Sequence, residues 1–184
     1  MKKSLVLLIL VIFLLGCSSE ESTETSVEIE NSEGIVMEEI QENQIYAVME
    51  TSKGTIKVLL YEETAITKEN FVSLIEEGFY NGLTFHRYEP GFVIQGGDPN
   101  GDGTGGSEKT IALEVVGKSH SRGTVGMARS SDPNSASSQF FFNLADNTFL
   151  DSGYTVFGEV TEGLDVMDYL RAGDTITSIT ISQT

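Results

Sequence analysis

Hydrophobic and polar positions divide the chain into three stretches. Residues 5–15 form an unbroken apolar run behind Lys2 and Lys3. Residues 18–44 have almost no apolar pattern and hold nine Glu, no Lys or Arg, and many Ser and Thr. From residue 45 onward short β-prone runs set in. Segments 47–51 and 55–60 flank Ser52-Lys53-Gly54, a turn signal, and predict a hairpin. Thr67 is placed as an N-cap, and Phe71, Leu74, Ile75 and Phe79 share one helical face. Beyond Gly78 strand-like runs return at 83–87, 92–95, 110–115, 124–129, 139–143 and 155–160. A second helix is expected near 162–171, with Leu164, Met167 and Leu170 inward and Gly173 past its end. Residues 175–181 alternate as a closing strand. Short strands, two helices and no βαβ rhythm point to a closed antiparallel barrel, which removes exposed edges. Periodicity alone leaves a sandwich open as well.

The first stretch changes the picture of where the protein works. Eleven apolar residues are fewer than the roughly 20 that span a bilayer as a helix. They fit the core of a secretory signal. Leu14-Leu15-Gly16-Cys17 follows directly and resembles the lipobox of bacterial-type lipoproteins. That resemblance implies that residues 1–16 are a signal peptide and that Cys17 takes a lipid such as palmitate. The mature chain would then be anchored to the cell membrane and face away from the cytoplasm, in a periplasm or at the cell surface. Residues 17–44 read as a solvated acidic stalk, whose like charges repel and whose few apolar groups cannot offset ordering entropy. Residues 45–184 are the folded domain.

Composition then excludes several chemistries. The chain has 28 acidic residues against 11 Lys and Arg, a formal charge of -17. So negative a protein is a poor partner for nucleic acid, whose phosphates are bound mainly by Lys and Arg. The single Cys and two His leave no disulfide framework, no Cys-based zinc cluster and no His-rich metal site. No cofactor or metal is implied, and a monomer is the default state. Two glycine-loop motifs are coincidental. Gly101-Asp-Gly103-Thr-Gly105-Gly106 satisfies G-x-G-x-x-G, but a strand-like run follows it where a dinucleotide site needs a helix. Asp98, Asn100, Asp102 and Gly103 mimic the start of a calcium loop, yet Lys109 stands where a bidentate Glu belongs. The Ser-rich run 130–138 lacks a nucleophile elbow and reads as a turn-rich loop.

One constellation is specific. It begins with Phe85-His86-Arg87-Tyr88-Glu89-Pro90-Gly91-Phe92-Val93-Ile94-Gln95-Gly96-Gly97-Asp98. Gly126-Met127-Ala128-Arg129-Ser130, Ser138-Gln139-Phe140-Phe141-Phe142, Phe149-Leu150-Asp151 and Val156-Phe157-Gly158 follow in order. Together with the helix at 69–74 and the ending at 162–166, they resemble the cyclophilin family of peptidyl-prolyl cis-trans isomerases over nearly all of residues 45–184. The resemblance implies a mainly β fold, a closed eight-stranded antiparallel barrel capped by two helices. It implies an enzyme that acts on proline-containing polypeptides and assists the folding of exported proteins.

By the same resemblance Arg87 is the catalytic cation, with Phe92 and Gln95 beside it. Phe141, Leu150, Val93 and Phe149 would line the proline pocket. Ala128 and Arg129 would hydrogen-bond the substrate backbone, and Gln139 would shape the site. Gly103 and Thr104 would border the subsite for residues preceding proline, while His86 and Tyr154 complete the substrate-binding set. His120 is read as structural. Phe149 stands where many members carry a tryptophan, which removes an indole N–H donor. A chaperone module that binds proline peptides without turnover is the alternative reading, because the same pocket serves both.

Overall fold

The computed structural model describes residues 44–184; the leader, Cys17 and the acidic segment as far as residue 43 lie outside the described residues. The predicted hairpin forms, with β1 (Ile45–Thr51) and β2 (Gly54–Leu60) paired antiparallel and Thr51 opposite Gly54. Alternate residues along it (Ala47, Met49, Ile56, Val58, Leu60) are buried, as the period-two pleat requires. Six further strands follow: β3 (Arg87–Glu89), β4 (Val93–Gly96), β5 (Thr124–Met127), β6 (Phe140–Asn143), β7 (Val156–Glu162) and β8 (Ile176–Gln183). All eight join one antiparallel sheet in the order β3-β4-β6-β5-β7-β2-β1-β8.

That sheet is a curled half-barrel, not the closed barrel expected from the sequence. β3 and β8 stand at opposite ends of the order, and β3, three residues long, pairs with β4 alone. Irregular chain laces the seam instead. Gly82 N–H bonds to Ile176 O and Ile176 N–H to Leu83 O, both at 2.8 Å, and Thr84 bridges Thr175.

The expected strand at 110–115 is also absent, apart from a single bridge from Ile111 to Ala136. Glu114 explains the departure. Its carboxylate accepts the N–H groups of Ile66 (3.1 Å) and Thr67 (2.8 Å) and the Thr67 hydroxyl (2.6 Å). These are first-turn donors of α1 (Ala65–Glu76), which have no partner within their own helix and favour a negative charge. A distant carboxylate therefore caps the helix, and Thr67 lies buried in its first turn rather than at the N-cap, where Thr64 stands. Phe71, Leu74 and Ile75 are buried as predicted, while Phe79 lies beyond the helix end. The second helix, α2 (Leu164–Tyr169), is shorter than expected; Met167 and Leu170 point inward, but Leu164 is exposed.

The core sits on the concave side, where Phe71 of α1 meets Tyr80, Phe140 and Phe157 with ring centroids 5.0–5.5 Å apart. Phe85 and Phe142 extend the cluster. Offset and edge-on aromatic pairs of this kind add about 0.5–1.5 kcal/mol each beyond their burial. Phe141 does not belong to that cluster. β6 thus sends Phe140 and Phe142 inward and Phe141 to the opposite face.

Candidate active site

Four neighbouring strands set four residues in a row. Arg87 pairs with Gln95 across β3 and β4, Gln95 with Phe141 across β4 and β6, and Phe141 with Gly126 across β6 and β5. Residues directly opposite one another project to the same side of a sheet, so strand register alone delivers a cation, an amide and an aromatic ring to one surface.

Arg87 is 42 % exposed in its side chain, and its guanidinium lies 5.7 Å from the centroid of the Phe92 ring. Its Nη1 donates to Gln95 Oε1 at 3.2 Å. Gln95 Nε2 donates in turn to Gln139 Oε1 (2.8 Å), and Gln139 Nε2 to the carbonyls of Gly103 (3.1 Å) and Gly105 (2.6 Å). A groove of about 370 Å³ opens beside this chain of bonds, lined by Gln95, Thr104, Ala128, Arg129, Gln139 and four serines. The Ala128 N–H is bonded to Gln139 O at 2.9 Å, so that donor is occupied by the sheet. Arg129 turns its Nε to Gly153 O (2.7 Å) and its guanidinium over the Tyr154 ring (4.7 Å).

The other side of Arg87 is apolar. Phe141 packs against Gly126, where an added Cβ would stand 2.5 Å from the ring's Cζ. Its ring stacks on His120 (centroids 5.8 Å, planes 14° apart), and Tyr154 meets it edge-on at 6.1 Å. Phe92 and Phe149 stack at 5.8 Å, with Phe149 as much as 71 % exposed, a flap rather than a wall. Val93 is buried on β4, and Leu150 closes a short 3-10 turn over residues 148–150.

Neither histidine is placed for proton transfer. His120 is fully buried, and its Nδ1 lies 3.0 Å from Asp151 Oδ1. Because a carboxylate only accepts, the ring carries its proton on Nδ1. Burial lowers its pKa, against the upward pull of the Asp151 bond and charge, and Nε2 stays buried without a partner. His86 packs under Gly103 with both ring nitrogens buried and unbonded, and burial lowers its pKa as well, opposed by Asp98. A neutral filler beneath the loop is what His86 provides.

The glycine loop itself is explained by Asp98, which is 1 % exposed. Its carboxylate accepts the N–H groups of Asn100 (2.9 Å), Asp102 (3.0 Å) and Gly103. Burial alone would raise its pKa, but these donors outweigh it and hold the carboxyl below the usual range. The N–H groups that a phosphate site would use converge on the chain's own anion. Among the described residues, no group of three His, Cys, Asp or Glu is arranged to hold a metal ion.

Most of the site residues expected from sequence thus meet on one surface. Sequence reasoning missed Asp98, the Asp151 partner of His120, and Gly126. An Asp followed by Asn100, Gly101 and Gly103 carries a turn signature that could have found the first. Asp151 lies 31 residues from His120 and Gly126 is marked by no local pattern.

Comparison with known proteins identifies what the chain is similar to. The family model "Cyclophilin type peptidyl-prolyl cis-trans isomerase/CLD" matches residues 46–184. A peptidyl-prolyl cis-trans isomerase of Helicobacter pylori (strain J99) is 43 % identical over 152 residues, covering 80 % of this chain and 93 % of that protein. One from Acinetobacter baylyi is 47 % identical over 131 residues, 65 % of this chain and 68 % of its own length. Among solved structures, a Cryptosporidium parvum cyclophilin-type isomerase superimposes with a TM-score of 0.72 at 26 % identity, covering 78 % of this chain and 99 % of that one. The same protein in the presence of the dipeptide Ala-Pro gives 0.69 at 28 % identity, over 76 % of this chain and 99 % of that one.

Proposed function

We propose, for a chain that belongs to the cyclophilin family of peptidyl-prolyl cis-trans isomerases, that Arg87 is the group that accelerates rotation about X-Pro bonds in polypeptides. The carrying observation is a half-exposed guanidinium set between an aromatic pocket and a polar groove.

An X-Pro amide resists rotation by about 18–20 kcal/mol because resonance gives its C–N bond double-bond character. At mid-rotation that resonance is lost, and the proline nitrogen gains a lone pair that can accept a hydrogen bond. A guanidinium beside it stabilises the twisted amide more than either planar isomer, and only such differential binding accelerates the step. Phe92, Phe141 and Leu150 supply the apolar floor and walls for the pyrrolidine ring, with Val93 and Phe149 at the margin. Gln95 holds one arm of the guanidinium. Residues preceding proline lie along Ala128, Arg129, Gly103 and Thr104. His86 and Tyr154 support the surface; no proton leaves the substrate, so no acid or base is required.

The sequence supports a lipid on Cys17, with residues 1–16 removed and 17–44 as a stalk, so that the domain meets proteins as they are exported. Radiolabelled palmitate incorporated into the full chain and absent from Cys17→Ser checks the anchor; equal labelling of both would refute it. For catalysis the measurement is a proline-limited isomerisation assay with Arg87→Ala beside the wild type. Removing a donor aimed at the transition state costs on the order of 10²–10³ in kcat, and Arg87 is exposed enough for the fold to survive. Undiminished turnover in that variant would refute the assignment, and a folded wild type that binds proline peptides without turnover would make the protein a binder.

A further inference from the structure

From the loop gathered around the buried Asp98 carboxylate, a series of hydrogen bonds runs through Gln139 and Gln95 to Arg87 with its direction fixed at each amide. It starts from the glycine loop. The N–H groups of Asn100, Asp102 and Gly103 turn inward to the Asp98 oxygens. Gly105 comes so close that a Cβ on it would lie 2.2 Å from Asp98 Oδ1. The peptide that carries the Gly103 carbonyl gives its own N–H, that of Thr104, to Asp102 Oδ1 at 2.9 Å, and the loop folded around Asp98 presents the carbonyls of Gly103 and Gly105 to Gln139. A carbonyl can only accept, so Gln139 must offer its NH₂, which leaves its oxygen facing Gln95. Gln95 must then offer NH₂ to Gln139, and its own oxygen is the atom that faces Arg87. Two amides that could each point either way are thus set in the one orientation that gives the guanidinium an acceptor. Reversed, Gln95 would point NH₂ at a cation.

We infer that Asp98 is a positioning residue for the isomerase reaction: by gathering residues 100–105 around its carboxylate, it sets the amide polarity of Gln139 and Gln95 and so the orientation of Arg87. This rests on the assignment of Arg87 as the catalytic group. It also ties the groove for residues preceding proline to the reacting bond, because Gly103 and Gly105 belong to both the groove and the series.

The test uses the full chain and an isomerisation assay that separates kcat from KM. Asp98→Asn keeps the shape but replaces one accepting oxygen by NH₂, and Gly105→Ala pushes on the same carboxylate from the other side. Both are expected to lower kcat on the order of tenfold or more, with KM changed less, as for other misplacements of catalytic groups. The decisive arm adds Gln95→Glu. A carboxylate offers Arg87 an acceptor in either orientation, so Asp98→Asn introduced into Gln95→Glu should cost little further kcat. Side-chain amide NMR signals of Gln95 and Gln139 should be well dispersed in the wild type and collapse toward free-amide positions in Asp98→Asn. Equal losses from Asp98→Asn in both backgrounds, or unmoved amide signals, would mean that Asp98 merely supports the loop and would overturn the inference. Full kcat in a folded Asp98→Asn beside an inactive Arg87→Ala overturns it alone. Activity retained in Arg87→Ala overturns the assignment beneath it.

Discussion

On one side of Arg87 the surface is held by directional bonds among Gln95, Gln139 and the glycine loop; on the other, Phe92, Phe141 and Phe149 are held by shape against one another, His120 and Tyr154. Hydrogen bonds carry polarity, so a change of one atom on the first side can reverse a dipole without altering any volume. Ring stacks carry no such sign, and the second side responds to added or missing atoms. Chemistry that must aim a donor sits on the polar side, while binding that must only receive an apolar ring sits on the other.

The sharpest way to break that contrast is Arg87→Lys, which keeps the charge and volume but loses the planar fork that Gln95 orients. Its kcat should fall by about 10²-fold, with an unchanged melting temperature; kcat within twofold of wild type would show that charge alone suffices. Next in size is Gly126→Ala. The new methyl meets the Phe141 ring, and overpacking of this kind costs about 1–3 kcal/mol. Denaturant unfolding should show that loss, and KM should rise as the pocket floor tilts; a neutral substitution would mean that Phe141 moves freely.

Protonation offers a gentler probe of both sides, through His86 beneath the glycine loop and His120 against Phe141. Burial holds His86 and His120 below the usual 6.5, so below that pH the unfolded chain binds protons that the folded chain refuses. Stability should therefore be full above 6.5 and decline as pH falls toward the folded pKa values, before the carboxylates titrate. His120→Asn should remove part of that slope in chemical denaturation at several pH values, and an unaltered slope would count against a buried neutral imidazole. Smallest of all is Arg122→Ala, which breaks an exposed pair with Asp168 at 2.6 Å, neither partner of which lines the groove or joins the ring stacks. Such pairs are worth less than about 1 kcal/mol, and activity should not change; an effect above that would reveal coupling between the rim and the site.

Much of the fold was legible because it rests on local rules. The hairpin around Ser52 and Lys53, the buried face of Phe71, Leu74 and Ile75, and five of the later strands follow from spacing and turn chemistry. The failures share a cause. Residues 110–115 look like a strand, but Glu114 is drawn to the first turn of a helix 47 residues away. Leu83 has strand-like neighbours, yet β3 starts only at Arg87, and the seam is laced by single bonds rather than a ladder. Propensity has no term for such distant partners.

By itself the sequence determined the mainly β character, the charge, and the motif that carries Arg87, Phe92, Gln95, Gln139 and Phe141. Those are properties of composition, period and order along the chain. Only the tertiary structure decided that the sheet stays a half-barrel and that Phe141 rather than Phe140 or Phe142 turns away from the main core. Each of these depends on which strand lies beside which and on where a donor finds its acceptor. Residues far apart in the chain settle both, and no local pattern encodes them.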